Sequence, residues 1–504
     1  MGIDTRGAAA AAVVALGVGV GAGLAPIPTL AAVAAVVAVL LAFAAPRLTA
    51  GLAVLIILFV RLLGHVVPVA AVSYLDEAVV GLCVVTMPLH RLATRRPIRT
   101  FPGQWWFATF LVIGVLSGLL VQAPPVIFLS GAFVLGKGLL LAWAVAQLDW
   151  SERHLLVAAR IGTGLVLISL VACAGNFAMP EAWNAVLASD LNAAAPRGFL
   201  PSLIGPFSHP IDLGQFMALS AVAIVTWRAT MGRSLFTLAL LAGTIAAAVL
   251  TARRTAAASL GAAWLWLQLT MRSARVLVAA VAVLPLAALV LTGTFIKVVQ
   301  ATYQDYIVRA STEARTVLTR DSFAVAADHF PAGAGFGRFG SAVAASNYSP
   351  EYLARGYPDI WGLGNTAENG RFLTDTEWPA ILGESGFLGA AAFALGLLAI
   401  YRAGRRLSLS TGPAAHRWAG LTLVGWLIAL LVESVGTVSF TGPPVSGAFF
   451  VLVGITTALL DPNKTETATP DLTGGDAAKT TGGHPPEQPR SVGRGTTERD
   501  PART

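Results

Sequence analysis

The stretch LTARRTAAASLGAAW (residues 250–264) sets Arg253 and Arg254 side by side between two apolar runs. A guanidinium at membrane depth is costly unless an anion, a cavity or the lipid headgroups receive it. The arginine fork stays charged in a low-dielectric site and grips phosphate through two parallel N–H bonds, so this pair is a candidate phosphate site. The plainer alternative is an interfacial anchor whose head snorkels to lipid phosphate. Further on, TDTEWPAILGES places Asp375 and Glu377 at the rim of another apolar run, with Glu384 about two turns inside it. A rim carboxylate is a candidate proton acceptor, provided that its surroundings raise its basicity. Between these groups lies RASTEARTVLTRDSFAVAADHFPAGAGFGRFG (309–340), with Arg309, Arg315 and Arg320. It reads as a short helix ended by Pro331 and a Gly-rich turn. GAGFGRFG has the spacing of a phosphate cradle but no flanking strand or crossover, so it is expected to be a tight turn whose backbone N–H groups can hold an anion. His209 beside Pro210 and His329 near Pro331 are weighed as substrate contacts against the plainer roles of helix start and interfacial residue.

The elements that position these groups follow from composition. The chain has 504 residues, 56% hydrophobic and 12% charged, against roughly 25% charged in soluble domains. Apolar runs of the length that crosses a hydrocarbon core of about 30 Å recur along it. They fall near 8–25, 29–45, 48–64, 71–89, 104–122, 124–146, 155–173, 209–227, 234–251, 255–270, 275–293, 381–400, 417–436 and 443–460. The expected fold is an all-α polytopic membrane protein of about 12–14 transmembrane helices. Cys83 and Cys173 both lie in apolar runs, where they act as small hydrophobes, and no residue cluster has convincing metal-ligand spacing. No cofactor is expected.

Short connections that hold arginines mark the cytoplasmic side. HRLATRRPIRT (90–100), WRATMGR (227–233), MRSAR (271–275) and YRAGRRLSLSTGPAAHR (401–417) fall on one face when the runs alternate. The opposite face receives the segment 174–208, Arg253, Arg254 and one long connection, 294–380. The organisation expected is an N-terminal transmembrane bundle over 1–200, a second membrane module over 201–460 carrying that outer loop, and a disordered cytoplasmic tail over 461–504. The tail has six Lys/Arg against seven Asp/Glu, leaving +9 of the formal +8 on the membrane body. That excess is loop arginine facing anionic lipid, which argues against nucleic-acid binding. One long outer loop late in an otherwise tightly connected chain favours a membrane enzyme over a transporter, whose halves tend to repeat.

Several of these motifs occur together in one known family. HFPAGAGFGRFG, ILGESGFLGAAAFALGLL, GPFSHPIDLGQFMAL (205–219) and TARRTA, in this order and with this sidedness, resemble the shared C-terminal module of bacterial O-antigen ligases and O-antigen polymerases over roughly residues 200–400. The resemblance implies a glycosyltransferase of the bacterial cytoplasmic membrane with cytoplasmic termini and an extracytoplasmic site. Its donor would be a polyprenyl-diphosphate-linked glycan and its acceptor a glycan or glycolipid. Arg254 stands in the family's helix-start arginine position, with Arg253 beside it, and Arg315 is placed as a loop arginine sixteen residues before Pro331. Arg253, Arg254, Arg309, Arg315, Arg320, His209 and His329 are then candidate substrate contacts. Arginines neutralising the leaving diphosphate would make the reaction metal-independent.

One departure matters. Many ligases carry His-Asn about nine residues before the glutamate of ExGxxG, and here those positions hold Asp375 and Thr376. The proton acceptor is then expected to be Asp375 or Glu377, with His209 and His329 next, and the balance tilts toward a polymerase or another glycan ligase. Two rivals stand beside this reading. YLDEAVV (74–80) carries Asp76 and Glu77 and resembles the acidic pair of C-type polyprenyl-phosphate-sugar glycosyltransferases. An apolar groove with arginines would also suit a flippase or permease for lipid-linked glycans.

Overall fold

A computed structural model describes residues 26–197, 200–271, 313–366 and 368–461. Two expected apolar runs, 8–25 and 275–293, lie outside the described residues, as do Arg309 and the tail from 462 on. Among the described residues there are seventeen α-helices. In chain order they are α1 (Pro26–Ala44), α2 (Pro46–Val66), α3 (Leu75–Ala93), α4 (Gln104–Leu120), α5 (Pro125–Ala146), α6 (Glu152–Ala178), α7 (Pro180–Leu187), α8 (Leu191–Ala194) and α9 (Pro210–Thr230). Then follow α10 (Leu235–Leu250), α11 (Arg254–Met271), α12 (Ala314–Asp328), α13 (Ala342–Ser346), α14 (Pro350–Ala354), α15 (Glu377–Ser408), α16 (Ala414–Glu433) and α17 (Ser446–Leu459). Each of the other twelve apolar runs is a helix. Seven helices are long and apolar enough to cross a membrane, and four more apolar helices are shorter. This is an all-α polytopic membrane architecture. The described residues up to Leu460 form one compact unit.

The helix starts follow local chemistry. Pro46, Pro125 and Pro210 open α2, α5 and α9, where the missing N–H costs nothing because the first turn leaves its N–H groups unpaired. Ser234 opens α10 with a reciprocal cap: Ser234 Oγ accepts from the Thr237 N–H at 3.1 Å and Thr237 Oγ1 from the Ser234 N–H at 3.2 Å.

Alternating helices gather the connections 67–74, 121–124, 179–209, 251–253, 313–376 and 434–445 at one end of the unit, the loop-bearing end. An aromatic core runs beneath it, with Phe110 packing edge-on against both Phe336 and Phe393, and Phe393, Phe440, Phe449 and Phe450 continuing the chain of ring contacts. Phe336 comes from the Gly-rich turn, so the loop itself plugs the bundle. The loop also has a small core of its own around fully buried Phe339, Tyr352 and Tyr357. The Tyr352 hydroxyl accepts from the Gly340 N–H at 2.8 Å, and Tyr357 donates to Asp321 at 3.2 Å.

Candidate functional site: an arginine cluster under a keyed loop

Four arginines from three segments lie at the loop-bearing end. Arg253 closes the connection between α10 and α11, Arg254 is the first residue of α11, Arg315 lies in the first turn of α12, and Arg197 comes from the 179–209 connection. Partial burial, and then the charges of Arg197 and Arg315, push the Arg253 guanidinium down to about 10, while Asp375 and Asp190 act in the opposite sense. It is therefore still a cation at neutral pH. Desolvation, then Arg254 and Arg315, lower Arg197 as well. The charges of Arg197, Arg254 and Arg315 thus act on one another or on Arg253 across this end. Arg253 Nη2 donates to the Ala193 carbonyl at 2.9 Å, and its buried Nε has no hydrogen-bond partner. Arg254 is exposed. The positive end of the α11 helix dipole lies at the same spot.

Arg315 is held on two sides. Its Nε and Nη2 both donate to Asp375 Oδ2, and its guanidinium lies 5.1 Å from the centre of the Phe372 ring. Two residues expected at the rim therefore meet each other there. Glu377, expected beside Asp375, is turned inward and buried. Its Oε2 accepts from the N–H groups of Ser439 (2.7 Å) and Phe440 (3.0 Å), and its Oε1 from the Thr441 hydroxyl (2.7 Å). Both oxygens are spent on fastening the 434–445 loop to the start of α15.

The Gly-rich turn and the ESG segment of α15 lock into each other. The helix opens at Gly386 (φ 65°, ψ −173°), and the turn enters there: the Ala334 N–H donates to the Gly383 carbonyl at 2.8 Å and the Gly335 N–H to the Glu384 carbonyl at 2.9 Å. Gly335 has φ +88°, and a Cβ on it would come within 2.6 Å of the Gly118 Cα, so only glycine passes between α4 and the loop. Ser117 donates to the Gly333 carbonyl from the α4 side. The Glu384 carboxylate enters the turn: Oε1 accepts from the Phe339 N–H at 3.0 Å and the Ser341 hydroxyl at 2.6 Å, and Oε2 is buried without a hydrogen-bond partner. The expectation that this turn offers its N–H groups to an anion is thus met from within the chain, which corrects its reading as part of a ligand site.

His209 takes the plainer role of a helix start, and His329 is held within the loop. His209 caps α9, its Nδ1 accepting from the Ile211 N–H at 3.2 Å. Burial first, then Arg253 and Arg61, hold its pKa down to about 4. His329 sits 3.1 Å from Glu351, which also pairs with Arg338 (3.1 Å) and Arg355 (2.8 Å). This ionic knot ties the loop together. Arg320 is exposed and pairs with its neighbour Asp321 at 2.9 Å.

Three features were not legible as site elements. Arg197 lies in a polar connection without periodicity. Glu433, at the end of α16, is buried, with Oε1 accepting from the Ser259 hydroxyl at 2.9 Å and Oε2 without a hydrogen-bond partner. Lys137 of α5 pairs with Asp76 and donates to Glu77 at 2.9 Å. A lysine inside an apolar run was the available signal for that last pairing, because it demands a counter-charge. The acidic pair of YLDEAVV is engaged with this lysine.

A comparison with known protein families finds none that matches the chain, and none of the curated proteins matches it either.

Proposed function

We propose that the protein is a membrane glycosyltransferase that moves a glycan from a polyprenyl-diphosphate donor to an acceptor sugar hydroxyl at the loop-bearing end, on the extracytoplasmic side. The observation that carries this reading is the convergence of Arg197, Arg253, Arg254 and Arg315 beside Asp375 at the start of a membrane-embedded helix. The acceptor oxygen attacks the anomeric carbon, the bond from that carbon to the diphosphate oxygen breaks, and the departing diphosphate keeps the electron pair. The arginine forks stabilise the charge that grows on it. The acceptor proton passes to Asp375. In the unliganded protein Asp375 is held by Arg315, so a diphosphate that draws Arg315 away also frees the base. Donor binding and proton acceptance are linked through one ion pair.

Asp375→Asn tests the division of labour. It is expected to lose transfer while farnesyl diphosphate, as a short donor analogue, still binds, and binds at least as tightly as to wild type because Arg315 is released from its carboxylate. Wild-type turnover in Asp375→Asn across pH 5–8 would remove Asp375 as the proton acceptor. Sidedness is checked with single cysteines: one at Asn347 is expected to react with an impermeant thiol reagent in intact cells, and one at Thr411 is not. The reverse labelling would put the arginines on the cytoplasmic side and end the proposal.

A further inference from the structure

Trp361 is 69% exposed although it belongs to the folded part of the loop. Its ring lies 5.5 Å from that of Phe372 at 63°, and Phe372 in turn carries the Arg315 guanidinium at 5.1 Å. The Asp375 N–H donates to the Phe372 carbonyl at 3.3 Å, so an unbroken line of contacts runs from Trp361 through Phe372 to the Arg315–Asp375 pair. The platform is built to hold still. The Phe372 N–H donates to the Gly362 carbonyl at 2.9 Å, closing the segment between the two aromatic residues, and the Gly362 N–H donates to Asn369 Oδ1 at 2.6 Å. Asn365 and Thr366, next along the segment, are exposed.

An exposed indole, with exposed amide and hydroxyl side chains at Asn365 and Thr366 a few positions further along, suits one class of ligand well. A pyranose ring has an apolar face of C–H groups that stacks on an aromatic surface and a rim of hydroxyls that need polar partners. An amphipathic, rigid aromatic side chain gives such a contact at little cost in conformational entropy. We infer that Trp361 and Phe372 form a carbohydrate subsite that seats a sugar of the acceptor glycan on the indole face, with its reacting hydroxyl directed toward Asp375. This inference rests on the proposed glycan transfer and adds to it which surface receives the acceptor. The competing role for an exposed tryptophan is an apolar anchor in the lipid interface, and leucine serves that role while offering no aromatic face.

The test uses the purified full-length protein, with oligosaccharides released by mild acid from the envelope of the cells that make it as the probe. Wild type and Trp361→Phe are expected to retain these sugars, and Trp361→Leu to bind them about tenfold more weakly. Farnesyl diphosphate binding is expected to be the same in all three, because the arginine cluster is untouched. Equal retention by Trp361→Leu and wild type, or no retention by wild type, overturns the subsite. Loss of farnesyl diphosphate binding in Arg254→Ala is read separately and bears on the donor site alone, so failure of the subsite and failure of the glycosyltransferase reading are distinguishable.

Discussion

The Gly-rich turn at 333–340 and the arginines at 197, 253, 254 and 315 are both arrangements for holding negative charge, and they differ in where the anion comes from. In the turn it is the chain's own Glu384, which accepts from Phe339 and Ser341 and lets the loop key into α15 at Gly386. In the arginine cluster the charges of Arg254 and Arg315 act on Arg197 and those of Arg197 and Arg315 on Arg253, with Asp375 and Asp190 in the opposite sense on Arg253 and Asp375 paired with Arg315. A membrane bundle that spends one carboxylate on fastening its loop and gathers guanidiniums of like charge at the same end has separated scaffold from site. Lys137 with Asp76 and Glu77 belongs to the first kind.

The largest effect that sharpens this contrast is expected at Arg254. Arg254→Ala should lower transfer by about a thousandfold, the scale of losing a main electrostatic contact to a leaving group. Arg254→Lys should recover little, since a point charge does not reproduce the bidentate fork. Thermal unfolding in detergent should shift far less than transfer does, because Arg254 is exposed. A transfer rate within a few-fold of wild type would reduce Arg254 to an interfacial anchor.

The opposite signature is expected in the turn. Glu384→Ala strands the Phe339 N–H and the Ser341 hydroxyl in the interior, and a buried polar network broken in this way costs about 2–4 kcal/mol. The midpoint of detergent unfolding should drop clearly, with activity falling only as the folded fraction falls. If Glu384→Ala keeps its midpoint but loses turnover, Glu384 belongs with the chemistry and the contrast between the two regions fails.

The membrane elements were the most legible part of the sequence, because a spanning helix is written as a continuous apolar run whose meaning does not depend on its partners. Sidedness within the unit followed from simple alternation, which is why Arg253, Arg254, Arg315 and Asp375 were expected at one end and are found there. What the sequence could not show was which carboxylate each loop would consume. Asp375 and Glu377 are two residues apart and look alike, yet one pairs with Arg315 at the rim and the other fastens residues 439–441. That difference is set by a loop some sixty positions away in the chain. Arg197 and Glu433 were hidden for the same reason: each acquires its meaning from distant contacts, Arg197 from Arg254 and Arg315, Glu433 from Ser259.

The smallest expected effect is a pH signature at His209, on the border of the arginine cluster. Its Nδ1 must stay unprotonated to accept from the Ile211 N–H. Burial, Arg253, Arg61 and Arg197 oppose protonation and only Asp190 favours it, so the folded protein takes up this proton at about 4, against 6.5 for an ordinary histidine. As pH falls through about 6.5 the unfolded chain binds a proton that the folded one refuses, and the stability difference grows until the folded state also titrates. Stability from this group is therefore complete above 6.5, declines between 6.5 and 4, and loses nothing further below that. His209→Asn keeps a helix cap without a titrating group. Its unfolding midpoint is expected to match wild type at pH 7.5 and to exceed it at pH 5. Parallel curves for the two proteins from pH 7.5 to 5 would mean that neither burial nor the neighbouring arginines lower the proton affinity of His209 in the folded protein.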